Sequence, residues 1–416
     1  MLNRFRTVYG EFPRLFWYVV LARFVDALGG TLLFPFFALY ITQRFDVGMA
    51  QAGVLLGMSS LFGLAGSTVG GALADRFGRR RLILFGLVFS ALSSLSFGLA
   101  GSISVLYPLI IIVGLLSSVA HPAHQAMLAD ILPTEKRQEG FAILRVVFNA
   151  AWIFGTALGG LIATRSFLAL FVTDSVLSCA VAVFLFRVLP ETRPQSDTSV
   201  EGPSLWQTAV DYRLVLRDLT FMGFLAAGML ALIVYQQQYS TLAVYMRDHR
   251  QIDSQGYGTI LSVTGAEVVL LQFWISRKIR AAPPFLMLSL GIALFALGFL
   301  MFGFVEGFWM FMLAALIICL GEMFYFPISE SIAAAFAPPD MRGRYMAVAH
   351  LGWALPATVG PGAAGYLLDN YEPSLMWYVG AALCLLSAAC YLLMHFRIGT
   401  RPRFAAVHGN PDQTAA

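Results

Sequence analysis

The sequence predicts an all-α integral membrane fold of twelve transmembrane helices in two pseudo-symmetric six-helix bundles, and three observations point to it. Hydrophobic residues make up 58% of the 416 and charged residues only 12%, with a mean hydropathy of +0.74. Soluble domains run nearer 45–50% apolar and about 25% charged. Twelve apolar stretches follow one another, most close to the roughly 20 residues that cross about 30 Å of hydrocarbon. Residues also recur between the two halves of the chain at one fixed spacing.

The first six stretches are residues 15–41, 51–74, 82–100, 105–128, 141–163 and 167–188. The first is of full span length and no small-residue cleavage pattern follows it, so it is expected to stay as helix 1 and not to be removed as a signal peptide. The second six are 221–245, 257–273, 285–302, 308–332, 345–368 and 375–394. Between the sets lies the longest polar interval, with the run PETRPQSDTSVEGPS, whose composition is that of a linker. The expected organisation is an N-terminal bundle (1–189), a cytoplasmic linker (190–218), a C-terminal bundle (219–400) and a cytoplasmic tail (401–416).

Charge orients the bundle, because Lys and Arg are retained on the cytoplasmic side of short loops. With both termini inside, the cytoplasmic segments hold 21 of the 27 Lys and Arg. The outer loops then hold only Arg44, Arg165, Arg247 and Arg250, while Arg23 and Arg145 fall within helices. A multi-pass protein of the cell's inner (cytoplasmic) membrane with both termini in the cytoplasm is expected.

A shift of 205 residues superimposes Tyr40 on Tyr245, Gly53 on Gly258, Pro122 on Pro327, Arg137 on Arg342, Gly155 on Gly360 and Gly160 on Gly365. Six matches at one offset mark a duplicated unit. Parallel six-helix repeats are one of the layouts of secondary transporters, with substrate near the midplane.

Other classes fit poorly. The basic residues are spread by loop and form no nucleic-acid-binding surface. The four cysteines (Cys179, Cys319, Cys384, Cys390) lie in apolar stretches without zinc-ligand spacing and read as small core residues. Neither lysine, Lys136 or Lys278, sits in a phosphate-binding G-K-[ST] loop. No metal, no cofactor and no enzymatic activity is expected.

The loop after the second stretch reads Gly71-Ala-Leu-Ala-Asp75-Arg76-Phe-Gly78-Arg79-Arg80-Arg81. It matches the G-x-x-x-D-R-x-G-R-R signature, and with it the chain resembles the major facilitator superfamily over nearly its whole length. In that family the loop latches the two halves in one access state. The resemblance implies that Asp75 contacts the start of helix 11 near Arg342 to Tyr345, while Arg76, Arg79, Arg80 and Arg81 pair with acids or lipid phosphates. The equivalent second-half loop, Ser276-Arg277-Lys278-Ile-Arg280, lacks the acid and the glycine. Helix 1 carries Leu28-Gly29 and Pro35, similar to a motif of twelve-helix drug:proton antiporters, with Ala38 where that motif has its last proline. Helix 5 carries Gly155-Thr156-Ala-Leu-Gly159-Gly160, similar to the antiporter motif G-P-x-x-G-G with Thr156 in place of proline. Small residues of this kind let helices approach closely; Gly155 and Gly159 read equally as packing glycines.

Ionisable residues inside spans cost about 2.5–3.5 kcal/mol on insertion scales and so face partners, water or a pathway. Arg23 and Asp26, three apart, share a face of helix 1 and form either a structural pair or a proton- or cation-exchanging carboxylate beside a guanidinium. Arg145, Asn149 and Trp152 form a stripe on helix 5 that suits substrate, a partner for Asp26, or a polar packing seam. Glu267 in helix 8 and Glu322 in helix 10 join Asp26 as proton-coupling candidates, and Tyr325 and Ser329 share the face of Glu322. His121 and His124 flank Pro122, and Asp174 sits in helix 6; all three read mainly as structural. In helix 7, Tyr235-Gln236-Gln237-Gln238-Tyr239 turns three amides through about 200° of an α-helix, so at least one points inward. Gln236, Gln237 and Tyr239 are therefore substrate candidates.

The resemblance to the antiporter branch implies proton-coupled efflux of hydrophobic or cationic small molecules by alternating access. The expected partners are a small-molecule substrate, protons and the lipid bilayer, around a monomer. An uptake symporter, a uniporter or a lysolipid flippase uses the same fold. A non-transporting ligand sensor is the alternative of a different class, and its expected mark is a sizeable soluble output domain.

Overall fold

The computed structural model describes residues 10–191, 212–338, 341–399, 401 and 404, apart from the side chains at positions 71, 72, 74 and 75. Among the described residues there is no strand. The helices of the first half are α1 (Arg14–Phe45), α2 (Met49–Phe77), α3 (Arg79–Leu99), α4 (Ile103–Ile131), α5 (Thr134–Ala163) and α6 (Phe167–Val188). Those of the second are α7 (Leu219–Tyr239), α8 (Ser254–Ile279), α9 (Pro284–Phe304), α10 (Phe308–Phe336), α11 (Arg342–Asn370) and α12 (Leu375–Ile398). Eleven of these are long and apolar enough to cross a membrane. The twelfth, α11, has 29 residues but carries Arg342, Arg344, His350 and Asp369 among many glycines and prolines, which dilutes its apolar character.

Local chemistry explains where the helices start and break. Ser166 caps α6 by accepting from the Ala169 N–H at 3.2 Å, and Asp218 caps α7 by accepting from Thr220 and Phe221 at 3.1 and 3.0 Å. Pro35 sits in a tight 3₁₀ turn within α1, and another such turn, Ser118–Ala120, precedes Pro122 in α4. Helix 7 departs from its predicted continuous course over 221–245. It tightens into a 3₁₀ turn at Gln236–Tyr239, breaks at Ser240 (φ −135°, ψ −79°) and resumes as Thr241–Arg250. The cause lies in the side chains. The Gln237 Nε2 donates to the Ile233 carbonyl at 2.6 Å, and its Oε1 accepts from the Ser240 and Thr241 hydroxyls at 3.3 and 2.8 Å. These bonds offer the backbone an alternative to the regular ladder.

The 205-residue spacing reappears in three dimensions. The Tyr40 hydroxyl donates to the Phe97 carbonyl at 2.5 Å, and Tyr245 donates to the Phe302 carbonyl at 3.1 Å. Asp46 and Gln251, also equivalent, are the two non-glycine residues with positive φ (50° and 56°) among the described residues. Gly155 abuts the Leu28 carbonyl as Gly360 abuts that of Ile233. Helix pairing follows the same rule: α1 packs on α5 and α6 as α7 packs on α11 and α12, and α3 packs on α6 as α9 packs on α12.

The chain forms two compact units. The first comprises Met1–Val47, Leu55–Ser196 and Asp253–Gly265; the second comprises Gly48–Val54, Asp197–Ile252 and Ala266–Ala416. Each therefore takes in the opening turns of one helix from the other half of the sequence. In the first unit the start of α8 lies on α5, where Gly258 meets Gly160 and the Thr156 carbonyl. In the second the start of α2 lies on α11, where Gly53 meets the Pro361 carbonyl. Core packing in the first unit mixes aromatic and aliphatic side chains, around Phe16, Ile83, Leu87, Met127 and Leu185. In the second, Trp377 is fully buried among Tyr245, Phe299 and Phe302.

Candidate functional site

Polar side chains gather inside each unit. In the first, the Arg23 guanidinium meets the Asp26 carboxylate at 3.2 Å, both partly buried. They line a narrow cavity of about 10 Å³, the lower limit for one water, together with His124 and apolar residues of α1, α3, α4 and α6. The His124 Nδ1 is 3.0 Å from the Ala120 carbonyl, one turn back on its own helix. His121 is within electrostatic reach of Asp26. Asp174 on α6 is buried, bonded to the Ser94 hydroxyl, and lies against Gly29, one turn along α1 from Asp26. This places three helices' worth of ionisable groups around one point on α1.

The second unit collects Glu267 and Glu322 around α10. Glu267 lies near Cys319, one turn from Glu322, and its Oε2 has no hydrogen-bond partner among the described residues. Glu322 lies near the Tyr235 hydroxyl, which is 2.9 Å from that of Tyr239. Rings surround Tyr235: Phe295 is stacked at 5.3 Å, with Phe326 at 5.2 Å and Trp353 at 6.0 Å. Tyr325 is directed elsewhere, its hydroxyl lying with that of Tyr391 beside Gly228. The carboxyl–aromatic grouping suits a cation or a flat apolar molecule, since rings attract cations by about 0.5–2 kcal/mol.

The remaining sequence candidates divide clearly. Gln236, Gln237 and Gln238 are all buried, and Gln237 spends its amide on the break in its own helix. Arg145 is exposed, and neither it nor Asn149 has a side-chain hydrogen-bond partner among the described residues. Trp152 packs against Phe148 and Gly265. Gly159 rests on Leu32 and Phe36, and Pro35 is buried in its turn. None of the four cysteines is in a disulfide; Cys319 and Cys384 are buried, but Cys179 is exposed on α6, against the expectation of a core position.

The family model for the Major Facilitator Superfamily matches residues 19–286 and 237–412, most of the chain. The chain belongs to the Major Facilitator Superfamily. Within the superfamily it is 28% identical over 360 residues to a Na(+), Li(+), K(+)/H(+) antiporter of Planococcus maritimus, covering 79% of this chain and 84% of that one. It is 21% identical over 365 residues to the multidrug resistance protein MdtH of Shigella dysenteriae, covering 87% and 89%. A POT family transporter crystallised with 5-aminolevulinic acid superposes with a TM-score of 0.77 at 14% identity, over 92% of this chain and 96% of that one. That likeness is one of fold.

The superfamily's signature loop can be followed except at Gly71 and Asp75, whose side-chain positions lie outside the described residues. Gly78 has φ +91°, a conformation that glycine alone adopts readily. The Glu191 carboxylate fits beside it and accepts from the Arg79 N–H at 2.9 Å. The Arg79 guanidinium pairs with Asp130 at the end of α4. Arg80 donates to the Phe186 carbonyl at 2.6 Å and lies over the Phe186 ring, while Arg76 lies over Phe77. At the start of α11, the Tyr345 hydroxyl donates to Asp218 at 3.2 Å. Glu191, Asp130, Phe326 and Trp353 were not singled out from the sequence, and Cys319 was read only as a core residue. Glu191 and Asp130 stand at the ends of α6 and α4 with no motif to flag them, and aromatic residues are too common in apolar helices to stand out.

Proposed function

We propose that this superfamily member is a proton-coupled exporter of hydrophobic or cationic small molecules that works by alternating access. The observation that carries the reading is Glu322 close to Tyr235, which is ringed by Phe295, Phe326 and Trp353. A cation lying on such rings is held by the ionised carboxylate, and a proton arriving at that carboxylate cancels the hold. Competition of two ligands for one group is a negative coupling between them, and coupling of this sign is what exchange requires. Asp26 has the corresponding part in the first unit, where its contact with Arg23 gives way to a proton or ligand. Glu267, Arg145, Asn149, Trp152 and Tyr325 are secondary members, and the Gly71–Arg80 loop with Asp75 is the latch between access states. The protein acts as a monomer in the cytoplasmic membrane with both termini inside.

The test is a transport assay on the purified protein in liposomes under an imposed pH gradient, with ethidium as cargo. Gradient-dependent ethidium movement that Glu322→Gln abolishes and Asp26→Asn reduces is the expected result. If ethidium does not move, or both variants move it as the parent does, the reading falls. The likeness to the Na(+), Li(+), K(+)/H(+) antiporter of Planococcus maritimus favours a second reading, exchange of alkali cations for protons. Sodium-, lithium- or potassium-driven pH changes in the same liposomes, with no ethidium flux, select it.

A further inference from the structure

The opening turn of α2 is held by a group remote in sequence. The Met49 N–H donates to Asp369 Oδ1 at 2.9 Å and the Ala50 N–H donates to Oδ2 at 2.8 Å, so both oxygens of one carboxylate close the helix start. Residue 48 is glycine, and a side chain there would run into that carboxylate. The backbones are in contact along the same edge, Gly365 against the Met49 carbonyl and Gly53 against the Pro361 carbonyl. All these residues lie within the second unit, whereas α2 from Leu55 onward belongs to the first.

The repeat shows what is unusual here. The residue equivalent to Gly48 is Asp253, which caps α8 from its own chain segment by accepting from the Gly256 N–H at 2.8 Å. The residue equivalent to Asp369 is Thr164, whose hydroxyl is spent on the Leu161 carbonyl at 2.7 Å. Thus α8 carries its own cap, and α2 borrows one from the end of α11. A charge-assisted cap of two bonds, aligned with the positive end of a helix, is stronger than the backbone contacts around it. Helix α2 passes from the second unit to the first just beyond this cap.

We propose that Asp369 is a latch on the face of the bundle opposite the termini, holding the α2 and α11 ends together and releasing when that face opens. Transport by rocking of two repeats requires helices from opposite halves of the sequence to separate at each face in turn. The bonds of Asp369 set how often this face does so. The proposal rests on family membership and is independent of the cargo.

Spin labels at Asp46 and Tyr371, both exposed, report the separation in full-length protein in lipid nanodiscs by pulsed dipolar spectroscopy. Asp369→Ala is expected to raise the long-distance population at least tenfold over the parent, with Asp369→Asn in between. The double variant Gly48→Asp/Asp369→Ala supplies α2 with a cap of the kind α8 has, so it folds with parental thermal stability yet keeps the long-distance population. If Asp369→Ala leaves the distances unchanged, or if the double variant returns them to the parental distribution, Asp369 is a helix cap only and the latch is overturned.

Discussion

Replacing Gly258 tests how closely α5 and α8 are packed in the first unit. A methyl at this position stands 2.9 Å from the Gly160 Cα, 3.2 Å from the Gly160 N and 2.5 Å from the Thr156 carbonyl oxygen. All three are backbone atoms, so no side chain can swing aside. Carbon atoms in contact prefer about 3.5–4.0 Å, so Gly258→Ala must part the helices by roughly 0.6–1 Å, enough to forfeit a quarter to a half of each neighbouring contact. Overpacking of this size costs about 1–3 kcal/mol. Alanine also gains about 1 kcal/mol of helix propensity over glycine, and Gly30→Ala, at a helical position with nothing within 4 Å, gains the same without the collision. The difference between the two variants isolates the collision. At about 2–4 °C per kcal/mol for a unit of this size, Gly258→Ala is expected to melt roughly 2–12 °C below Gly30→Ala. The measurement is thermal unfolding in one detergent at one heating rate, because unfolding of such proteins is commonly irreversible. Equal melting temperatures would refute the reasoning.

Gly78→Ala forces an L-residue into φ +91°, ψ 150° and displaces the Glu191 carboxylate; it costs about 1–3 kcal/mol. Its melting temperature is expected below that of Glu191→Ala, which loses only the cap. Tyr245→Phe is expected to destabilise more than Tyr40→Phe, since the Tyr245 hydroxyl also accepts from Arg250 at 2.8 Å, and a bond to a charged group contributes about 1.5–3 kcal/mol against 0.5–1.5 for a neutral one. Thermal unfolding of the two variants checks the order. A lipid-soluble maleimide is expected to modify Cys179 and to leave Cys319 and Cys384 unmodified in the folded protein, read by peptide mass spectrometry. Modification of Cys384 at the rate of Cys179 would contradict the packing of α12.

Much of the architecture was legible because a bilayer makes apolar length a direct constraint and duplication makes the six-helix unit count twice. The offset of 205 read from Tyr40, Gly53 and Gly155 is the offset at which hydrogen bonds, positive φ values and helix contacts repeat. The Arg23–Asp26 pair was legible for a local reason, since three-residue spacing on a helix fixes proximity. What was not legible depends on partners far apart in the chain. Nothing near Glu322 in sequence reveals that Tyr235 reaches it, and nothing near Arg79 reveals Asp130. The course of α7 was missed because Gln237, Ser240 and Thr241 compete with the backbone for hydrogen bonds. Periodicity of apolar residues carries no trace of that competition.

The exchange of helix ends between the units bears on how the protein is made. When the first half of the chain leaves the ribosome, α2 has no cap, because the carboxylate that completes it lies 320 residues downstream. The first unit likewise waits for Asp253–Gly265 before its seam along α5 is filled. Domains generally fold in order of synthesis, but here neither half can finish alone. A truncated first half should therefore insert as helices and remain open to proteolysis at the start of α2, until the second half is supplied on the same or a separate chain.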